Sequence, residues 1–160
     1  MRNGSCVRFR RQRGIAYVGV MVLVAITALG LMEAGSIWKT TRQRERETEL
    51  LAVGSEIRHA IGEYYQAGPG EMYPKSLEAL VEDKRAPTAR HHLRRLYADP
   101  LSGKTDWGIL KTPDGAIRGV YSVAEGRPLK QGGFREADES FANASSYEDW
   151  KFVYQPQVQR

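Results

Sequence analysis

The sequence predicts an α+β chain in which one long N-terminal helix packs on a small three- to four-stranded antiparallel sheet. Three observations predict it. The stretch from residue 15 to residue 66 is free of proline and compatible with helix throughout. Apolar residues in its second half recur at spacings of three and four, the mark of a helix with one buried stripe. The strand-like alternations all come after residue 106, so helix precedes sheet along the chain. At 160 residues and 41% apolar composition there is room for a single core.

The first element is a basic leader. Residues 1–14 carry Arg2, Arg8, Arg10, Arg11 and Arg13 with no acid, which accounts for the whole net charge of +5 and leaves 19 basic against 19 acidic side chains beyond it. Phosphate recognition needs a persistent basic face, so this distribution argues against nucleic acid as a partner. Cys6, the single cysteine, lies in the same leader. A chain cut after Gly14 would hold no disulfide, and its stability would rest on packing or on a bound ion.

The second element is the apolar run IAYVGVMVLVAITALGLM over residues 15–32, 18 uncharged residues with arginines before it and Glu33 after. As a helix it spans roughly 27 Å, close to the roughly 30 Å hydrocarbon thickness of a bilayer. The positive-inside rule keeps the leader cytoplasmic and sends the chain beyond Glu33 to the outer face. Three readings stay open on these residues: a secretory signal cleaved near Ala28-Leu29-Gly30, an uncleaved anchor, or a precursor cut at Gly14 that keeps its apolar helix.

The third reading carries a family resemblance. Arg10-Arg11-Gln12-Arg13-Gly14, followed directly by the apolar helix, resembles the type III signal of type IV pilins and type II secretion pseudopilins. The resemblance implies that a prepilin peptidase cuts between Gly14 and Ile15, on the cytoplasmic side, and methylates the new amino terminus at Ile15. The family mostly has phenylalanine at that position. It also usually carries a glutamate at the fifth mature position, thought to pair with a neighbouring subunit's terminal amine; here that position is Gly19, and no carboxylate replaces it. The lack of glutamate resembles special minor subunits that start or cap a filament.

Beyond Glu33 the sequence is charged and still helical in character, with Arg42, Arg44, Glu45, Arg46, Glu47 and Glu49 interleaved. Leu50, Val53, Ile57, Ile61 and Tyr64 then form the stripe that must face a core. The domain plan is therefore a leader over 1–14, a transmembrane helix over 15–35, an amphipathic stalk over 36–66 and a globular body over 67–160. Gly68-Pro69-Gly70 ends the helix. Tyr73-Pro74-Lys75-Ser76-Leu77-Glu78-Ala79-Leu80 reads as a turn and a short helix, with Ser76 as N-cap and Leu77, Leu80 and Val81 inward.

That segment resembles the YP-x-x-L-x-x-L stretch of the major pseudopilin. Leu93-Arg94-Arg95-Leu96-Tyr97-Ala98-Asp99-Pro100, ahead of Trp107, is similar to the same family's arginines, Asp-Pro and following tryptophan. The resemblance extends from the leader to about Val123 and implies a pilin-like fold. Trp107 and Ile109, the turn Thr112-Pro113-Asp114-Gly115, and Ile117, Gly119, Tyr121 and Val123 then spell a hairpin of period two. Trp150, Phe152 and Tyr154 alternate into a third strand. Trp107, Tyr121, Trp150, Phe152 and Tyr154 are expected on one buried face, and residues 125–147, rich in glycine and polar side chains, as loop.

Catalytic chemistry is not expected. The chain has no Walker A loop, paired-cysteine metal motif, G-x-S-x-G elbow or H-E-x-x-H. His59, His91 and His92 read as solvated surface, since neither spacing builds a chelating face. Arg94 and Arg95 admit two readings, solubility or contact with an acidic patch on a neighbouring subunit. The resembled major pseudopilin binds calcium in a loop near its last strands, and Glu136, Asp138, Glu139, Glu148 and Asp149 are the candidates here, although the family's aspartate spacing is not reproduced. Solvated loop is the reading preferred over calcium, and no other cofactor is expected.

The function expected is a non-enzymatic subunit of a type II secretion pseudopilus or related type IV pilus-like fibre, held in a bacterial inner membrane with its body periplasmic. Ile15, Gly19, Ala25, Ala28 and Gly30 would permit close helix packing in the fibre. Its partners would be pseudopilin or pilin subunits, prepilin peptidase, an inner-membrane assembly platform and membrane lipid. A monomeric membrane-anchored periplasmic binding module and, behind it, a secreted enzyme with a cleaved signal are the competing readings.

Overall fold

The computed structural model describes residues 13–68 and 70–156. The leader through residue 12, with Cys6, lies outside the described residues. So do the side chains of residues 13–16 and 28–37, among them Gly14, Ile15, Ala28 and Gly30. The chain is mixed α+β. The long helix α1 (Arg13–Ala67) is followed by the one-turn helix α2 (Glu78–Val81) and the strands β1 (Gly108–Lys111) and β2 (Ile117–Tyr121). Two 3-10 turns, Glu136–Phe141 and Tyr147–Asp149, precede β3 (Phe152–Val153). The chain divides into two compact units, the first ending at Thr41 and the second beginning at Arg42.

In the first unit the described side chains of residues 17–27 are all solvent-facing, with Tyr17 65% and Ile26 62% exposed. Among the described residues no helix is long and apolar enough to cross a membrane. The 18-residue run read from the sequence extends past the fully described stretch at both ends.

In the second unit the expected stripe is the core-facing side of α1. Leu50, Val53, Ile57, Ile61 and Tyr64 are all buried, joined by Ala60. Each large aliphatic among them contributes about 1.5–3 kcal/mol by leaving water. The sheet closes over this stripe at two glycines. A Cβ on Gly54 would run into the Phe152 ring, and one on Gly62 would stand 2.6 Å from the Tyr154 ring. Both aromatic rings thus lie against bare helix backbone.

The sheet has order β1-β2-β3, antiparallel throughout. The hairpin turn is the one expected: Gly115 takes φ +84° and donates to the Thr112 carbonyl at 2.9 Å, a conformation that glycine adopts without strain. The facing of β2 differs from strict alternation. Leu110 pairs with Gly119 but Lys111 with Ile117, so Arg118 is an extra residue on one side of the ladder. This bulge shifts the phase by one. Ile117 points inward before it, Val120 and Ser122 are fully buried after it, Tyr121 is half-buried and Val123 is 40% exposed. Tyr121 and Tyr154 therefore border the core, whereas Trp107, Trp150 and Phe152 occupy it.

Two further expectations are corrected. Helix α2 is capped by Leu77 with no side-chain cap bond, not by Ser76, because the segment is only a single turn held by the Leu80 amide on the Leu77 carbonyl. Residues 125–147 are not merely loop. Phe141 and Tyr147 are buried and Phe134 half-buried around Trp150, with Phe141 stacked on Trp150 at 5.8 Å and Phe134 and Tyr147 edge-on to it. The polar composition hides three aromatic anchors that supply one side of the core.

Candidate functional site

The residues assigned to fibre packing divide by what is described. Gly19 has no atom within 4 Å of the place a Cβ would take, and Ala25 is exposed, so both stand on an open helix surface. Around them Val18, Val20, Met21, Val22, Leu23 and Val24 are each more than half exposed. Such an apolar surface has high free energy in water and lower free energy against lipid or another helix. None of residues 17–27 carries a charge, and the small residues leave room for backbone approach.

The body has three polar centres, each joining a loop to α1 or to the sheet. Glu47 is 2% exposed. Its carboxylate accepts from the Leu129 amide at 2.7 Å, the Lys130 amide at 3.0 Å and the Tyr147 hydroxyl at 2.7 Å. Gln43, one helical turn earlier, donates to the Tyr147 oxygen at 2.8 Å and to the Arg127 carbonyl at 3.2 Å. Burial pushes the Tyr147 phenol up to about 12; Gln43 opposes that rise and the Glu47 carboxylate adds to it.

The second centre lies at the end of α1. Asp83 takes two hydrogen bonds from the Arg85 side chain, at 2.9 and 2.7 Å. These hold its carboxyl well below the usual carboxylate range. Arg85 also donates to the Tyr64 carbonyl at 2.6 Å and lies over the Tyr64 ring, 3.4 Å from its centroid. The guanidinium thus adds a charge-assisted bond to a carbonyl in the last turn of the helix. His92 packs here with its Nε2 3.2 Å from Asp83 and only 7% of its side chain exposed. It is not the solvated residue expected from its polarity, whereas His59 and His91 are exposed.

Asp99 forms the third centre. It is fully buried and accepts from the Ser122 hydroxyl at 2.7 Å and the Leu101 amide at 2.9 Å, folding the Asp-Pro turn onto the sheet. Nearby, the Trp107 indole donates to the Tyr97 carbonyl at 2.8 Å, and the Tyr97 hydroxyl donates to Glu56 on α1 at 2.8 Å. Arg94 and Arg95 are exposed beside it, Arg95 lying 5.3 Å from the Tyr97 ring centre.

The calcium candidates do not converge. Asp138 is buried in an ion pair with Arg58 at 2.8 Å. Asp149 caps its own turn by accepting from Ser145 and Ser146, and those backbone and hydroxyl donors hold its carboxyl below the ordinary value. Glu136, Glu139 and Glu148 face solvent. Among the described residues no group of three or more His, Cys, Asp or Glu could hold a metal ion. Of the two aspartates offered by the sequence as ligands, Asp138 instead ties its turn to Arg58 on α1, and Asp149 caps its own turn.

A shallow groove of about 600 Å³ runs between α1 and β3, lined by Ser55, Arg58, His59, Gly62, Lys151 and Tyr154 among others. Two of its basic side chains face carboxylates, Arg58 pairing with Asp138 at 2.8 Å and His59 lying 3.3 Å from Glu63. The buried polar residues Glu47, Asp83, Asp99 and His92 are not legible in the sequence, because charged residues in a polar run look solvated until the chain that covers them is known. Comparison with protein families, curated proteins and solved structures returns no match for this chain.

Proposed function

We propose that this chain is a non-enzymatic structural subunit of a type II secretion pseudopilus or a related type IV pilus-like fibre. One observation carries the reading. Within α1, the apolar residues 17–27 stand open to solvent, while the stripe from Leu50 to Tyr64 is buried under a small antiparallel sheet. A helix with an unsatisfied apolar first part and a body folded on its second part suits storage in lipid and later bundling with like helices.

In this reading prepilin peptidase cuts between Gly14 and Ile15, the new amino terminus is methylated, and the helix stays in the inner membrane with the body periplasmic. An assembly platform then moves the helix from lipid into a fibre, where Gly19, Ala25, Ala28 and Gly30 allow close approach. Growth of the fibre would aid export of other proteins. Because Gly19 replaces the family's usual glutamate, no buried carboxylate is available there to pair with a neighbour's amine.

Sequencing of the mature amino terminus tests this directly. A start at N-methylated Ile15 together with crosslinked ladders of like or related subunits is expected. An intact Met1, or a start after Gly30, overturns the processing step. The open groove beside β3 motivates a second reading, a monomeric anchored binding module, which a protein that never crosslinks to a subunit would favour.

A further inference from the structure

His92 stands between carboxylates on two different elements. Its Nε2 lies 3.2 Å from Asp83 Oδ2, and its Nδ1 lies 3.7 Å from Glu63 Oε2 on α1. An ionised carboxylate can only accept, and a neutral imidazole carries one N–H. Only the doubly protonated ring presents a proton to both sides.

Among the described residues, other charged and titratable groups flank it on both elements. From α1, Tyr64 meets the ring edge-on at 5.7 Å, and His59 holds the far oxygen of Glu63 at 3.3 Å. From the 83–92 segment, Arg85 clamps Asp83 by two bonds and by its own amide at 3.0 Å. Arg90 reaches to the Ala67 carbonyl at 3.4 Å, and His91 turns away to the Val81 carbonyl. The two sides of the ring are therefore unequal. Asp83 is fixed by Arg85 whatever His92 does, whereas Glu63 is 49% exposed and can return to water at small cost.

We propose that His92 is a proton-operated latch that fastens the 82–93 segment to the last turns of α1. In acid the imidazolium joins Asp83 to Glu63. When the Nδ1 proton leaves to solvent, the nitrogen lone pair faces the Glu63 oxygen, that contact becomes repulsive, and Glu63 swings out while Nε2–H stays on Asp83. The segment then keeps its internal bonds, Asp83 to Arg90 and His92 to the Leu80 carbonyl, but loses an anchor on the helix. Glu63 also lines the groove beside β3, so its release changes the charge and width of that groove.

Backbone hydrogen exchange on the full-length chain in detergent micelles tests the latch. After correction for intrinsic rates, amides of residues 82–93 are expected to be about threefold better protected at about pH 5.5 than at about pH 8, the size that an ion pair to a half-exposed carboxylate supports. H92Q and E63Q should flatten that difference, while H59Q and H91Q should retain it. Equal protection at both pH values, or a pH dependence that survives in H92Q, overturns the proposal. Nitrogen-15 shifts of the His92 ring in the unsubstituted protein give an independent reading: a ring that is neutral at about pH 5.5 also overturns it.

Discussion

Glu47 stands among six charged side chains between Arg42 and Glu49, yet it alone of that group is buried. Two amides and a phenol hold its carboxylate. Replacing Glu47 by Gln puts an N–H against donors, and a loss of about 2 kcal/mol is expected in urea unfolding, with about 1 kcal/mol for Tyr147→Phe. Asp83 gives a pH dependence of definite sign. Its folded-state pKa is depressed, so its contribution is fully present above the ordinary carboxylate range near 4 and is lost as pH falls through the folded value. Thermal unfolding should show stability falling below about pH 4, and Asp83→Asn should remove that part of the fall. Neither residue is legible in the sequence, because the burial of each carboxylate is decided by donors that only the folded chain brings to it.

At the level of elements, the legible part of the sequence is the part that repeats. The stripe from Leu50 to Tyr64 has helical period, and the hairpin has an alternation and a Pro-Asp-Gly turn, so spacing alone specifies both. The bulge at Arg118 has no such signal, since a single inserted residue leaves the local alternation intact while reversing its meaning. Phe134, Phe141 and Tyr147 have no period at all, and only the shape of the core at Trp150 brings them together. Phe141→Ala is expected to cost about 3–5 kcal/mol in denaturant unfolding, as for any large buried aromatic. Gly54→Ala should cost about 1–3 kcal/mol, because the new methyl group meets the Phe152 ring and neither helix backbone nor ring has room to withdraw.

For the molecule as a whole, the division at residues 41 and 42 separates two kinds of surface. The core cluster from Leu50 to Phe152 falls entirely in the second unit. A chain lacking residues 1–41 is therefore expected to unfold cooperatively at a midpoint within a few degrees of the full chain's, and to remain dispersed without detergent. A midpoint lowered by more than about 10 °C would mean that the first unit supports the body.

The dependence of the core on its last aromatic residues reaches back into synthesis. Tyr147, Trp150 and Phe152 leave the ribosome only after the helix they cover, which has been made roughly a hundred residues earlier. Until they emerge the stripe on α1 is covered only in part. A premature stop between residues 147 and 152 would release a product whose stripe is only partly covered, suited to capture by chaperones and proteases.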